Sequence, residues 1–337
     1  MQRKIILLTA ILCLFCFLGA GSASAAQVQN NHTVVTKINN ASVTVNQDNP
    51  AVSGNRIVWV QKDSHNHSAI YEKNLASGYV GKIYASNYNQ YTPDISGTRV
   101  VWAQLSSKGI SNIYQKNLLS GLVSLVHAST QNQYDPKISG SRIVWNQYDG
   151  TKGTIYERNL ASGFVGKLKV SSADQYNPSI DGTRVVWVES TKIGNSIVEK
   201  NLISGTFNQV VSTKYSLYYP DISGTKVVWE QETGANLLVY IKDISKGTVS
   251  KIYPSNDDQW TPSISGNRVV WSQGGLDGVI YMKNLATGVT SKVYSIDHAQ
   301  FNPIISGNTL IWSQENSAGN FYIYRKDLVT GKVSKVA

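Results

Sequence analysis

Apolar and polar positions alternate along this chain in short bursts, four to a unit, and the unit recurs seven times. Its text is close to Tyr-x-Pro-x-Ile-Ser-Gly-x-Arg-Val-Val-Trp-x-Gln, a loop of changing length, then Ile-Tyr-x-Lys-Asn-Leu-x-Ser-Gly-x-Val-x-Lys-Val. Runs rich in β-branched and aromatic residues, bounded by glycine, read as strands. The first strand carries the proline, which a sheet tolerates at an edge. Arg-Val-Val-Trp is the second, Ile-Tyr-x-Lys-Asn-Leu the third and Val-x-Lys-Val the fourth. Trp59, Trp102, Trp145, Trp187, Trp229, Trp271 and Trp312 stand 43, 43, 42, 42, 42 and 41 residues apart. Pro50, Pro93, Pro136, Pro178, Pro220, Pro262 and Pro303 keep the same interval. A period in the low forties built from strands is the signature of a β-propeller with one blade per period. The expected fold is all-β: a seven-bladed propeller of four-stranded antiparallel blades, with almost no helix.

Two glycines recur in every unit, and fourteen of the 27 glycines are accounted for in this way. One closes the turn between the first and second strands (Gly54, Gly97 and so on to Gly307), the other the turn between the third and fourth (Gly78 to Gly331). Strand polarity places both sets on one face of the disc, which is uniform from blade to blade. The opposite face carries the loops between second and third strands and those between blades. These vary, and variable loops on a rigid scaffold are where specificity usually resides.

The blade resembles the propeller repeats of the TolB type, in which an Ile-Tyr strand precedes a glycine turn and a proline-containing inner strand follows. It is most similar to the Ile-Val-Trp / Ile-Ser-Gly variant of extracellular and cell-surface proteins of archaea and bacteria. The resemblance covers residues ~48–337 and implies the fold; propellers host many unrelated activities.

Residues 1–26 read as a signal peptide: Arg3 and Lys4, an apolar stretch from Ile5 to Leu18, then Ala23-Ser24-Ala25. A secreted, extracellular or envelope location is therefore expected. Residues 27–47 form an N-terminal segment in which Val34–Ile38 or Val43–Val45 could pair with the last blade and fasten the ring; the propeller is expected over 48–337. No later segment offers the apolar length of a spanning helix. Both cysteines, Cys13 and Cys16, lie in the leader, so the rest of the chain has neither disulfide nor thiolate chemistry.

Formal charge is +10, or +8 without Arg3 and Lys4. The basic residues recur with the repeat, as Lys73, Lys116, Arg158, Lys200, Lys242, Lys283 and Lys326, and again as Arg56, Arg99, Arg142, Arg184, Lys226 and Arg268. So even a distribution reads as a solvated edge, and it lacks the clustered, aromatic-interleaved character of a nucleic-acid surface.

Candidate chemistry comes from positions that either face the channel mouth or break the repeat. Tyr91, Tyr134, Tyr176, Tyr218, Trp260 and Phe301 stand two residues before a proline, with Asp48 breaking the set. Packing between blades is the simplest role for them, and stacking on a ligand the functional one. Glutamines recur two residues after the tryptophan, except that Glu189 takes the place of the fourth. Glu189 is the charged candidate. His65, His67, His127 and His298 are too scattered to make a metal site from spacing alone. No catalytic elbow, phosphate loop or calcium loop is present, so no cofactor and no metal are expected. The reading that follows is a non-enzymatic module binding protein or envelope glycan through the variable face. A polysaccharide lyase or glycoside hydrolase at the channel mouth is the alternative.

Overall fold

The computed structural model describes residues 46–63, 65–275, 277–294 and 298–337. The leader and, apart from Asn46 and Gln47, the segment expected to fasten the ring, including Val34–Ile38 and Val43–Val45, lie outside them. Seven four-stranded antiparallel sheets follow one another along the chain, and among the described residues there is no helix. Blade 1 comprises β1 (Gln47–Ser53), β2 (Arg56–Lys62), β3 (Ser68–Asn74) and β4 (Val80–Lys82). Blades 2 to 7 span 90–125, 132–167, 174–213, 217–251, 259–292 and 300–335. Every sheet is made from four consecutive strands, so no described strand crosses from one blade to another.

Since no described strand is exchanged, the ring is held by what lies between blades. The hydrophobic core consists of seven clusters, and each straddles one junction. One, for example, joins Val101, Ala103, Ile113 and Val126 of blade 2 to Ile138, Ile143 and Trp145 of blade 3. The junction of blades 7 and 1 has its own, from Ile311, Ile323 and Val336 to Val52, Ile57 and Trp59. All seven periodic tryptophans are fully buried. The period therefore reports on the interfaces between blades more than on any single sheet.

Polar bonds repeat across the same junctions. A glutamine opening the inner strand donates to the glutamine two residues after the tryptophan, as Gln90 does to Gln104 at 3.0 Å. The Trp102 indole N–H donates to the same oxygen at 3.3 Å. Meanwhile the Gln90 side-chain oxygen Oε1 accepts the Ile70 amide of the preceding blade at 2.8 Å. Gln47 closes the ring by this device, accepting the Ile323 amide of blade 7 at 3.0 Å. Burying these amides is affordable only because both ends of each are bonded.

The basic repeat is not a solvated edge. Lys116 Nζ donates to the Ile83 carbonyl of the preceding blade at 2.6 Å. Lys200, Lys242 and Lys283 do the same to Leu168, Val210 and Ile252 at 2.6–2.7 Å. Lys73, Arg158 and Lys326 bond Val336, Val126 and Val293 in the equivalent way. In the second set, Arg56, Arg142 and Arg184 pair with Glu72, Glu157 and Glu199 on the adjoining strand. Much of the positive charge is thus spent inside the ring. Lys116→Met should cost about 1–2 kcal/mol, because it leaves the Ile83 carbonyl without its charged donor. Lys108→Met, in an exposed loop, should change the melting temperature little.

Candidate functional site

The inner strands line the channel, and each is bent at the same place. The residue before every ring proline has a positive φ, between 44° and 52°: Asn49, Thr92, Asp135, Asn177, Tyr219, Thr261 and Asn302. The pairing of the inner with the second strand slips at this point in all seven blades. Asparagine and aspartate tolerate such a backbone, but β-branched Thr92 and Thr261 and bulky Tyr219 do so at a cost. Proline fits the bulge because it has no amide to offer the ladder.

Beyond the proline, a polar side chain of one blade bonds an inner-edge amide of the next. Asp94 accepts the Ile138 amide at 2.8 Å, and Asp221 accepts that of Ile264 at 2.9 Å. Ser179 donates its hydroxyl to Asp221 at 2.8 Å, and Ser263 accepts the Ile305 amide at 3.3 Å. Burial pushes the Asp94 carboxyl up, Lys137 and the bonded amides oppose this, and the charge of Asp221 adds to it. Blades 2 and 5 are not neighbours, so that interaction runs across the channel. Burial also raises Asp135, again opposed by Lys137. The waist therefore holds three carboxylates, Asp94, Asp135 and Asp221, against the ammonium of Lys137. The sequence signal was there, in the varied residues flanking an invariant proline.

The aromatic set named from the sequence, Tyr91, Tyr134, Tyr176, Tyr218, Trp260 and Phe301, is half-buried throughout. Tyr176 packs on the core between blades 4 and 5, and its hydroxyl reaches the Leu217 carbonyl at 3.5 Å. Burial raises this phenol well above its ordinary range. The Tyr218 hydroxyl donates to Glu232 at 3.3 Å, and Phe301 lies 6.1 Å from Phe321 across its own blade. Asp48, where an aromatic would stand in blade 1, accepts Asn302 Nδ2 at 3.1 Å and the Ser313 hydroxyl at 3.3 Å. The exception is thus a polar bond across the junction of blades 7 and 1.

Glu189 has a local explanation. It accepts Gln175 at 2.9 Å and the Trp187 indole at 3.3 Å, as a glutamine would, and its second oxygen pairs with Lys169 at 2.8 Å. Lys169 stands where four other blades carry Tyr84, His127, Tyr253 and Tyr294. The two departures from the repeat compensate each other.

The informative departure lies elsewhere. Directly after the tryptophan, Val60, Ala103, Asn146, Val188, Ser272 and Ser313 are apolar or neutral, and blade 5 has Glu230. It is buried at the junction with blade 6, where it accepts the Thr261 amide. Burial, only partly offset by that bond, pushes its carboxyl up to about 8.

The histidines do not assemble. His65 and His67 stack at 6.2 Å on an exposed loop beside Asp63, and His127 packs on Trp145 and Tyr156. Among the described residues no group of three or more His, Cys, Asp or Glu could hold a metal ion. The described residues also contain no helix long and apolar enough to cross a membrane.

No protein-family model and no curated protein matches the chain. Solved structures do. The β-propeller domain of the trilobed protease from Pyrococcus furiosus, described as having an open velcro topology, superposes with a TM-score of 0.71 at 14% identity over 87% of this chain and 98% of that one. A puromycin-hydrolyzing peptidase of Mycobacterium tuberculosis gives 0.69 at 11% identity, covering 87% of this chain and 52% of the other. The acylaminoacyl peptidase of Pyrococcus horikoshii gives 0.67 at 13%, with 87% and 52% covered. The chain spans about half the length of these two peptidases. At such identities the likeness is one of fold. It nonetheless corrects the functional expectation: the propellers matched here are those of peptidases, and nothing in them supports a glycan-binding module, a lyase or a glycoside hydrolase.

Proposed function

We propose that this chain is a protease-associated propeller that meets peptide at its channel mouth and waist. The observation that carries the reading is the match of the whole ring to propellers found in peptidases. The waist adds chemistry to it. Inner-edge amides there are already capped by Asp94, Asp221 and Ser263, so what a visitor would meet is the net charge of the waist and the half-buried aromatic surface. Three carboxylates against one ammonium favour a cationic group such as a peptide amino terminus. On this reading the half-buried aromatic set, Tyr91 to Phe301, would supply the apolar surface beside the visitor. We also propose TolB-type ancestry for the repeat, on its Ile-Tyr, Gly-turn and Pro-strand order, and secretion or envelope residence, on residues 1–26.

Fluorescence anisotropy with short unstructured peptides tests the central point. A peptide with a free amino terminus should bind about fivefold more tightly than its acetylated twin, and Asp135→Asn should remove most of the difference. No rise in anisotropy with either peptide at about 100 μM protein would overturn the reading.

A further inference from the structure

Antiparallel order puts all seven turns between third and fourth strands on the uniform face, and the repeat makes them alike, so their tips lie close to one plane. Exposed apolar side chains gather there. Tyr79, Leu119, Leu122, Phe164 and Ile203, on blades 1 to 4, are each more than half exposed, Leu119 and Ile203 at 78%. Val289 and Val329 continue the arc on blades 6 and 7. The fold does not require them. Directly after the turn glycine, where blades 1, 2, 3 and 6 carry Tyr79, Leu122, Phe164 and Val289, the other blades have Thr206, Thr248 and Lys332. Single exposed apolar residues are ordinary; an arc over four adjacent blades is not.

Charge follows the same rim. At the end of the outer strands Lys82, Lys167, Lys251, Lys292 and Lys335 are exposed, level with the middle of the third strand, and Lys82, Lys167 and Lys292 lie over the rings of Tyr71, Tyr156 and Tyr281. Lys246 and Lys332 stand at the tips of blades 5 and 7. The rim carboxylates Asp243 and Asp327 accept bonds inside their own turns. Exposed Asp63, Asp149, Glu232, Asp257 and Asp277 lie on the opposite, variable face together with Lys62, Lys108, Lys192 and Lys214, while Asp181, exposed on the uniform face, accepts the Gly224 amide.

We propose that the uniform face docks on an anionic lipid surface, with the turn tips entering the interface and the lysines meeting lipid phosphates. A protein partner would call for one contiguous apolar patch. Separated tips in a plane, backed by lysines, instead suit a flat anionic medium that closes around each side chain. Such docking leaves the variable face and channel mouth turned toward solution. It does not depend on what the channel binds.

Co-sedimentation with vesicles of phosphatidylcholine containing about 30% phosphatidylglycerol tests this. The chain should bind, and bind about tenfold more weakly to pure phosphatidylcholine or in high salt. The triple variant Leu119→Ser, Leu122→Ser, Phe164→Ser should lose about tenfold, with an unchanged melting temperature showing that it folds. Ile193→Ser, on the variable face although 94% exposed, should bind as the parent does. Absence of vesicle binding, or binding that the triple variant leaves intact, overturns the proposal. So does light scattering that shows the triple variant turning a dimer into a monomer, since the arc would then join two copies of this chain.

Discussion

Trp145→Ala is expected to destabilise the ring by about 3–5 kcal/mol, the range for deleting a large aromatic from a packed core. Trp145 is fully buried in the cluster that joins blades 2 and 3. Its ring stacks on Tyr156 at 5.8 Å and lies 6.0 Å from His127. Its indole N–H donates to Gln147 at 3.5 Å, within the same amide chain that bonds Gln133 and the Ile113 backbone of blade 2. Alanine would leave a cavity at a junction that no exchanged strand reinforces, so little can collapse to fill it. Thermal unfolding should move down by roughly ten degrees. A change below about 1 kcal/mol would mean that the junctions are not where the ring's stability resides.

How much of this was legible beforehand depends on the kind of signal. Blade number, strand order and the burial of the tryptophans were, because each is enforced seven times and periodicity averages away the noise of a single segment. The junction bonds were half legible. Gln90, Gln133 and their equivalents recur as faithfully as the tryptophans, but a buried amide and a solvated one look alike until their neighbours are placed. The repeated lysines misled for the same reason: nothing in Lys116 itself announces a carbonyl 33 residues earlier as its acceptor. Site residues were the least legible. Glu189 drew attention as a charge in a neutral series, yet Lys169, twenty residues earlier, neutralises it. Glu230 is also a charge in a neutral series, but its series is the position after the tryptophan, which varies from Val60 to Asn146 to Ser272 and so sets no pattern to depart from. Asp94, Asp135 and Asp221 come together only around the axis, which no local pattern encodes. The exposed turn residues Leu119 and Ile203 were hidden by the conserved geometry of the glycine turns beside them.

Stability should fall as the solution becomes alkaline, and Glu230 should be the main cause. Its carboxyl is raised to about 8 by burial between blades 5 and 6, against an ordinary value near 4.5. Below that ordinary value the group is protonated whether the chain is folded or not, and the folded ring has its full stability from this site. Between about 4.5 and 8 the unfolded chain has released the proton while the folded chain keeps it, so each pH unit costs up to about 1.4 kcal/mol. Above about 8 the loss is complete. Glu230→Gln keeps an acceptor for the Thr261 amide and removes the ionisation. The variant should match the parent within about 1 kcal/mol at pH 5 and exceed it by about 2–4 kcal/mol at pH 9. Asp94 and Asp135 are raised in the same direction, so a residual slope should survive in the variant. Melting curves of the two proteins across this range decide the matter. If their slopes are parallel, Glu230 is already ionised in the folded ring, and the junction of blades 5 and 6 must admit enough water or counter-charge to hold it so. The position would then be a hydrated gap in the ring wall rather than a dry one.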